Sequence, residues 1–174
     1  SSAGGIWEQH YAGGVMQRGA GSWQVPWPTE VARVARSLAR ESAWFWLDGA
    51  AEFPGENPGR SYLGAAGEVR IAERAGEREF LELLRRGSGT STVGSTRWVA
   101  ALGYEFGVAL LGLDPQPDDA PPAFALAPEV VLVLDHATGR AELTGDSEAA
   151  LEAWLDRHAA SFAAPPAAAN EHGS

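Results

Sequence analysis

The sequence predicts an α+β fold, a mainly antiparallel sheet with a few flanking helices. Two observations lead there. Short apolar runs of strand length, at 43–47, 98–102 and 130–134, outnumber the helical patterns, and brief helices interrupt rather than alternate with them. The runs Val130–Leu134 and Ala141–Thr144 are separated only by DHATGR, whose Gly139 supplies the permissive backbone of a hairpin turn.

Taken in order, residues 1–22 are glycine-rich, with scattered Trp7, His10 and Tyr11, and read as a loose arm or one irregular edge strand. The only methionine is Met16, so SSAGG reads as a remnant or a processed end. The domain proper is expected over 23–160. After VPWP, Thr29 is placed to cap a helix with Val31, Val34, Ala35 and Leu38 on its apolar side and Arg33, Arg36 and Arg40 toward water. Ala43–Leu47, rich in aromatics, reads as a mostly buried strand ended by Asp48. A Gly/Pro loop follows before strand character resumes at Ser61–Leu63 and Glu68–Ala72, with Val69 and Ile71 on one face. Phe80, Leu81 and Leu84 mark a short helix, closed by Arg85 and Arg86 with Gly87 as its stop. GSGTSTVGST at 87–96 matches neither a Walker loop nor a dinucleotide fingerprint. Trp98–Leu102 reads as a second buried strand leading into GYEFG, and PQPDDAPP at 115–122 is a loop. Asp146 is expected to cap a final helix carrying Ala150, Leu151, Trp154, Leu155 and His158, and 161–174 reads as a tail or linker.

The bulk composition bounds the function. A chain of 174 residues suits one domain, and 45% apolar residues are enough for one core. The absence of cysteine excludes disulfides, thiolate metal sites and cysteine nucleophiles, and is easiest in a reducing cytoplasm. Thirteen arginines and no lysine stand against 23 acids, for a formal charge of −10. Such a surface repels phosphate backbones, so nucleic acid is not expected as a partner unless the arginines cluster in space. No apolar run approaches a membrane span.

Three constellations carry candidate chemistry. Ser61, Asp135 and His136 could suggest a hydrolytic triad, but neighbours on a strand point to opposite faces, so Asp135 is poorly placed to orient His136, and no nucleophile elbow surrounds a serine. Four histidines without HxxxH, HxH or HExxH spacing give no metal motif, and His158 reads as a dipole partner at a helix end. Asp48 and Arg60, at opposite ends of one loop, could hold the ammonium and carboxylate of a zwitterion, with Trp44, Trp46 or Tyr62 covering a ring; an internal ion pair closing the loop is the competing role. Glu105, beside Tyr104, reads as a buried, hydrogen-bonded structural carboxylate.

The segments WLDGA, GRSYLGA, RWVAALGYEFG and VVLVLDHATGRAEL, in that order, resemble the N-terminal domain of the large subunits of aminodeoxychorismate synthase and anthranilate synthase, over residues 25–157. LDHATGR followed by a strand is closer to the aminodeoxychorismate branch, which serves 4-aminobenzoate and folate. The resemblance implies half of a layered α/β/β/α fold in which this domain is non-catalytic and pairs with a chorismate-binding domain. It implies a tryptophan-pocket motif on Trp46, Leu47, Asp48 and Gly49, with Arg60 and Ser61 as its second half and Gly103, Tyr104 and Glu105 as a structural motif. The family has serine where Gly49 stands, and one residue between its basic residue and serine, whereas Arg60 and Ser61 are adjacent; alternation should turn Arg60 away from the pocket.

By the same resemblance, the groups that bind chorismate, Mg²⁺ and ammonia belong to the partner domain, so this chain carries no cofactor and does not turn over chorismate alone. The implied partner is the chorismate-binding domain or subunit, with a glutamine amidotransferase subunit and tryptophan as further candidates. The first reading is therefore a non-catalytic domain or split subunit of aminodeoxychorismate synthase; the alternative is an aromatic amino acid sensor, and a hydrolase using Ser61 ranks last.

Overall fold

A single long strand organises the molecule. In the computed structural model, which describes residues 18–19, 21–49, 59–87, 98–116 and 119–163, the strand β6 (Ala123–Asp135) pairs along one edge with β4 (Arg60–Ile71). Its other edge is shared. β5 (Val99–Leu102) pairs with its first half and β7 (Arg140–Gly145) with its second. β3 (Trp44–Leu47) closes the sheet beyond β4, while β2 (Ser22–Val25) and the two-residue β1 (Arg18–Gly19) extend it beyond β7. Among the described residues all seven strands are antiparallel to their neighbours, and four helices flank them: α1 (Val31–Leu38), α2 (Glu77–Arg86), α3 (Tyr104–Leu110) and α4 (Glu148–His158). The α+β class expected from the sequence holds.

The two faces of this sheet are treated differently. Register places Trp23, Leu143, Leu132 and Leu63 opposite one another on one face, where all four are fully buried. Val34, Ala35 and Leu38 of α1 and Leu151, Trp154 and Leu155 of α4 cover them, forming the main core. Each large aliphatic side chain so buried contributes about 1.5–3 kcal/mol. A smaller cluster packs Phe80 of α2 and Phe106 of α3, edge to face at 5.9 Å, against Ala72, Ala123 and Ala125. The cluster of Phe45, Leu126 and Val131, with Ala43, Tyr62, Ala66, Val99 and Val133 around it, contains no helical residue. On that side Leu47 is 50%, Val69 45%, Ile71 61% and Phe124 40% exposed.

Several expectations need correcting. The strands at 43–47 and 98–102 are not buried: in β3 only Phe45 is, on the strand-only face, while Trp44 and Trp46 on the face of Leu63 and Leu102 on the face of Ala123 stay exposed, because both strands lie at sheet edges that the helices do not reach across. The two segments 61–63 and 68–72 are one strand, interrupted by an irregularity around Ala65–Glu68 that lets Glu68, Val69, Arg70 and Ile71 keep pairing with β6. Thr29 does not cap α1; Glu30 occupies that position without a side-chain bond, and the Thr29 N–H donates to the Phe162 carbonyl. Ser147, not Asp146, caps α4, its hydroxyl oxygen accepting from the Ala150 N–H at 3.1 Å. Phe162, read as tail, is buried in the main core, behind a 3₁₀ turn at Ala159–Ser161. The hairpin from β6 to β7 and the α2 helix with its Gly87 stop fall where expected, Gly139 taking a φ of 66°. The expectations for 1–17, most of the loop after Asp48 and the Gly/Ser/Thr stretch lie outside the described residues.

Candidate functional site

Three elements bring one polar cluster together on the helix-covered face. β3 ends and presents Asp48, the first turn of β4 offers Ser61, and the hairpin turn after β6 delivers His136. The Ser61 hydroxyl is 2.9 Å from Asp48 Oδ1 and 2.7 Å from His136 Nε2, and it accepts from the Gly49 N–H at 3.1 Å. A hydroxyl has one proton. Given to the Asp48 carboxylate, it leaves Oγ as an acceptor for both Gly49 and a protonated Nε2 of His136, so every bonding position of Ser61 is filled. The side chain is 1% exposed, and a buried hydroxyl so satisfied costs nothing for its desolvation.

This order of partners is unlike a hydrolytic triad, in which the carboxylate orients the imidazole and the imidazole takes the serine proton. Here the carboxylate sits on the serine, and His136 donates to the same oxygen. His136 is held from its other side by Trp27, whose ring meets it edge to face at 5.4 Å. Asp135 plays no part in the cluster.

Arg60 leaves the cluster altogether. Its Nε lies 3.0 Å from Asp135 Oδ2, its direct cross-strand partner. Asp135 also accepts the Thr138 N–H at 3.0 Å; that bond first, with the Arg60 guanidinium adding to it, lowers its carboxyl below the ordinary value, and the same contact with Asp135 raises Arg60. Asp48 and Arg60 are therefore not brought together, either as a zwitterion cradle or as a loop-closing pair. Adjacent residues on a strand face opposite ways, and Ser61 faces the helices.

The four-residue motif before the loop splits in the same manner. Trp46 shares its face with Leu63, Leu47 shares the other with Tyr62, and both are exposed. Gly49 fits only as glycine: a Cβ there would lie 2.3 Å from the Arg60 carbonyl oxygen, and its own carbonyl accepts the Gly59 N–H at 3.0 Å. A serine at 49 would break this closure of β3 onto β4. Gly103, Tyr104 and Glu105 lie elsewhere, at the start of α3, beside a cavity of about 260 Å³ that Arg74, Pro121 and Pro122 also line. The Gly103 N–H donates to the Pro122 carbonyl, Glu105 accepts the Gln116 N–H at 2.6 Å, and Tyr104 is exposed. Glu105 thus makes a hydrogen bond, as expected, but is only partly buried.

The contact between Ser61 and His136 is the feature that sequence reading missed. The signal was register: once Arg60 is set opposite Asp135, the following residues of the two segments lie at the same end of the sheet. His158 lies at the end of α4, where the sequence placed it, and is buried there against Trp154 at 4.8 Å. Burial first, and the charge of Arg157 next, lower its pKa.

Among the described residues no group of histidines and carboxylates is arranged to hold a metal ion, and no helix is long and apolar enough to cross a membrane. Compared with known proteins, the chain matches no protein-family model and no curated protein.

Proposed function

We propose that this chain is a non-catalytic N-terminal-type domain, or split subunit, of aminodeoxychorismate synthase component I, and that it supports a chorismate-binding partner domain on the 4-aminobenzoate branch. The observation that carries the reading is the sheet face opposite the helices. A sheet with helices on one side and an apolar, strand-only cluster on the other has the form expected of half an α/β/β/α sandwich, in which two packed sheets bury such faces about 10 Å apart. Leu47 near one end of that face, and Val69, Ile71 and Phe124 near the other, supply side chains that a second sheet would cover. The four sequence segments in register support the choice of family.

The tryptophan-sensor alternative has less in its favour. Asp48 is engaged by Ser61, the guanidinium of Arg60 by Asp135, and the Ser61 hydroxyl is sealed from solvent. Tryptophan added at millimolar concentration should give no heat in a calorimeter; a saturable signal abolished by Asp48→Ala would reinstate the sensor.

Co-expression with the chorismate-binding domain of a component I protein tests the main reading. The two should copurify and together form aminodeoxychorismate from chorismate and ammonia, whereas Ile71→Glu with Phe124→Glu should abolish copurification and leave the circular dichroism spectrum unchanged. Absence of association by the unaltered chain would remove the proposal.

A further inference from the structure

The arginines of this acidic chain are not spread evenly. Arg33, Arg36 and Arg40 project from one side of α1 and the turn after it, and Arg157, in the last turn of α4, faces them. With Ser37 and Ser161 they line a concavity of about 400 Å³. We propose that this concavity binds a phosphate group, carried either by inorganic phosphate or by a small phosphate monoester.

The charge balance is the first support. Four of the thirteen cations gather here in a chain of net charge −10. Like charges three or four residues apart on a helix repel, so the row on α1 weakens that helix unless an anion offsets it. Two carboxylates do so only in part: Glu30 pairs with Arg36 at 2.9 Å and Glu41 lies 3.5 Å from Arg157. Arg33 donates Nη1 to the Ala163 carbonyl, a contact that fixes its position without neutralising it. The side chain of Arg40 makes no ion pair or hydrogen bond among the described residues. Four guanidinium groups facing two carboxylates leave a local excess of positive charge.

Geometry and chemistry narrow the ligand. Guanidinium presents a planar fork of donors that matches phosphate oxygens two at a time, and several forks around one concavity suit a compact dianion. Ser37 is fixed by its 2.9 Å bond to Nδ1 of the buried His158, and Ser161 by its bond to the His158 carbonyl, so both stand at set positions on the floor. A nucleic acid strand would extend beyond the cluster over a surface whose net charge is negative, which favours a single small phosphate over a polymer. This site lies on the helical side and does not depend on the proposed chorismate-domain partner.

Titration of the full chain at constant ionic strength, followed by ³¹P NMR, tests it with inorganic phosphate and phenyl phosphate in parallel, and with a single-stranded oligonucleotide as a third arm. Saturable binding with a Kd of about 1 mM or tighter is expected for at least one of the first two, the tighter one identifying the source of the phosphate. Arg40→Glu should weaken it by about tenfold or more with an unchanged circular dichroism spectrum, and Arg36→Gln should weaken it less. Absence of saturation by about 10 mM, equal binding by both variants and the unaltered chain, or tighter binding of the oligonucleotide would overturn the proposal.

Discussion

The two faces of one sheet share strands, backbone hydrogen bonds and a similar apolar content, yet one buries Leu63, Leu132 and Leu143 completely while the other leaves Val69 and Ile71 half in water. The difference lies in what the intervening segments form. α1 and α4 are amphipathic and return across the first face; no helix contributes to the strand-only cluster on the second. Apolar side chains therefore mark two different things in this chain: on one face a completed core, on the other a surface suited to further burial.

If that contrast is correct, the same kind of substitution should cost very different amounts on the two faces. Trp154→Ala, removing a ring packed against His158 and Phe162, should destabilise by about 3–5 kcal/mol in denaturant titration. Gly49→Ser, which forces a side chain into the Arg60 carbonyl, should cost about 1–3 kcal/mol. Ser61→Ala removes the hydroxyl that joins Asp48, Gly49 and His136; leaving those groups short of a partner should lower stability by about 1–3 kcal/mol. Ile71→Ser on the open face should change stability by no more than about 0.5 kcal/mol, and a loss comparable to that of Trp154→Ala would mean the face is already covered.

The covered face also has a titrating member. His158 has a folded pKa below its ordinary 6.5, for the burial already described, with Arg157 and Arg40 opposing and Glu41 favouring its charge. In the window between the unfolded and folded values the unfolded chain binds more protons, so this contribution is complete above about 6.5 and is lost as pH falls toward the folded value. Thermal melts from pH 7.5 to 5 should show a fall that is smaller in His158→Gln.

The sequence made α1, α2, α4 and the β6–β7 hairpin legible because those signals are local, whereas α3 formed in a stretch read only as the exit of a strand. Val34, Leu38, Leu151 and Trp154 recur at helical spacing, and Gly139 sits in a turn that only a few residue types favour. Burial of β3 and β5 was misread because an aromatic or apolar run says that a strand forms, not that it lies at a sheet edge where the flanking helices leave Trp44, Trp46 and Leu102 exposed. The capping positions of α1 and α4 were misplaced by one residue: Asp146 and Ser147 offer equivalent capping chemistry, whereas at α1 Glu30 takes the position without a side-chain bond. At the polar cluster, the opposite orientations of Arg60 and Ser61 followed from strand alternation, but Ser61 and His136 are 75 positions apart, and no local pattern joins them.

That separation has a kinetic consequence. Among the described residues β6 is the strand that touches β4, β5 and β7 alike, so a hairpin formed early assembles this sheet only by docking on it. The β6–β7 hairpin can close within microseconds, but docking it on β4 requires bringing together chain segments separated by some seventy residues. Refolding should be limited by that search, and in hydrogen exchange the central amides of β6 should be the last to open and the edge of β3 among the first.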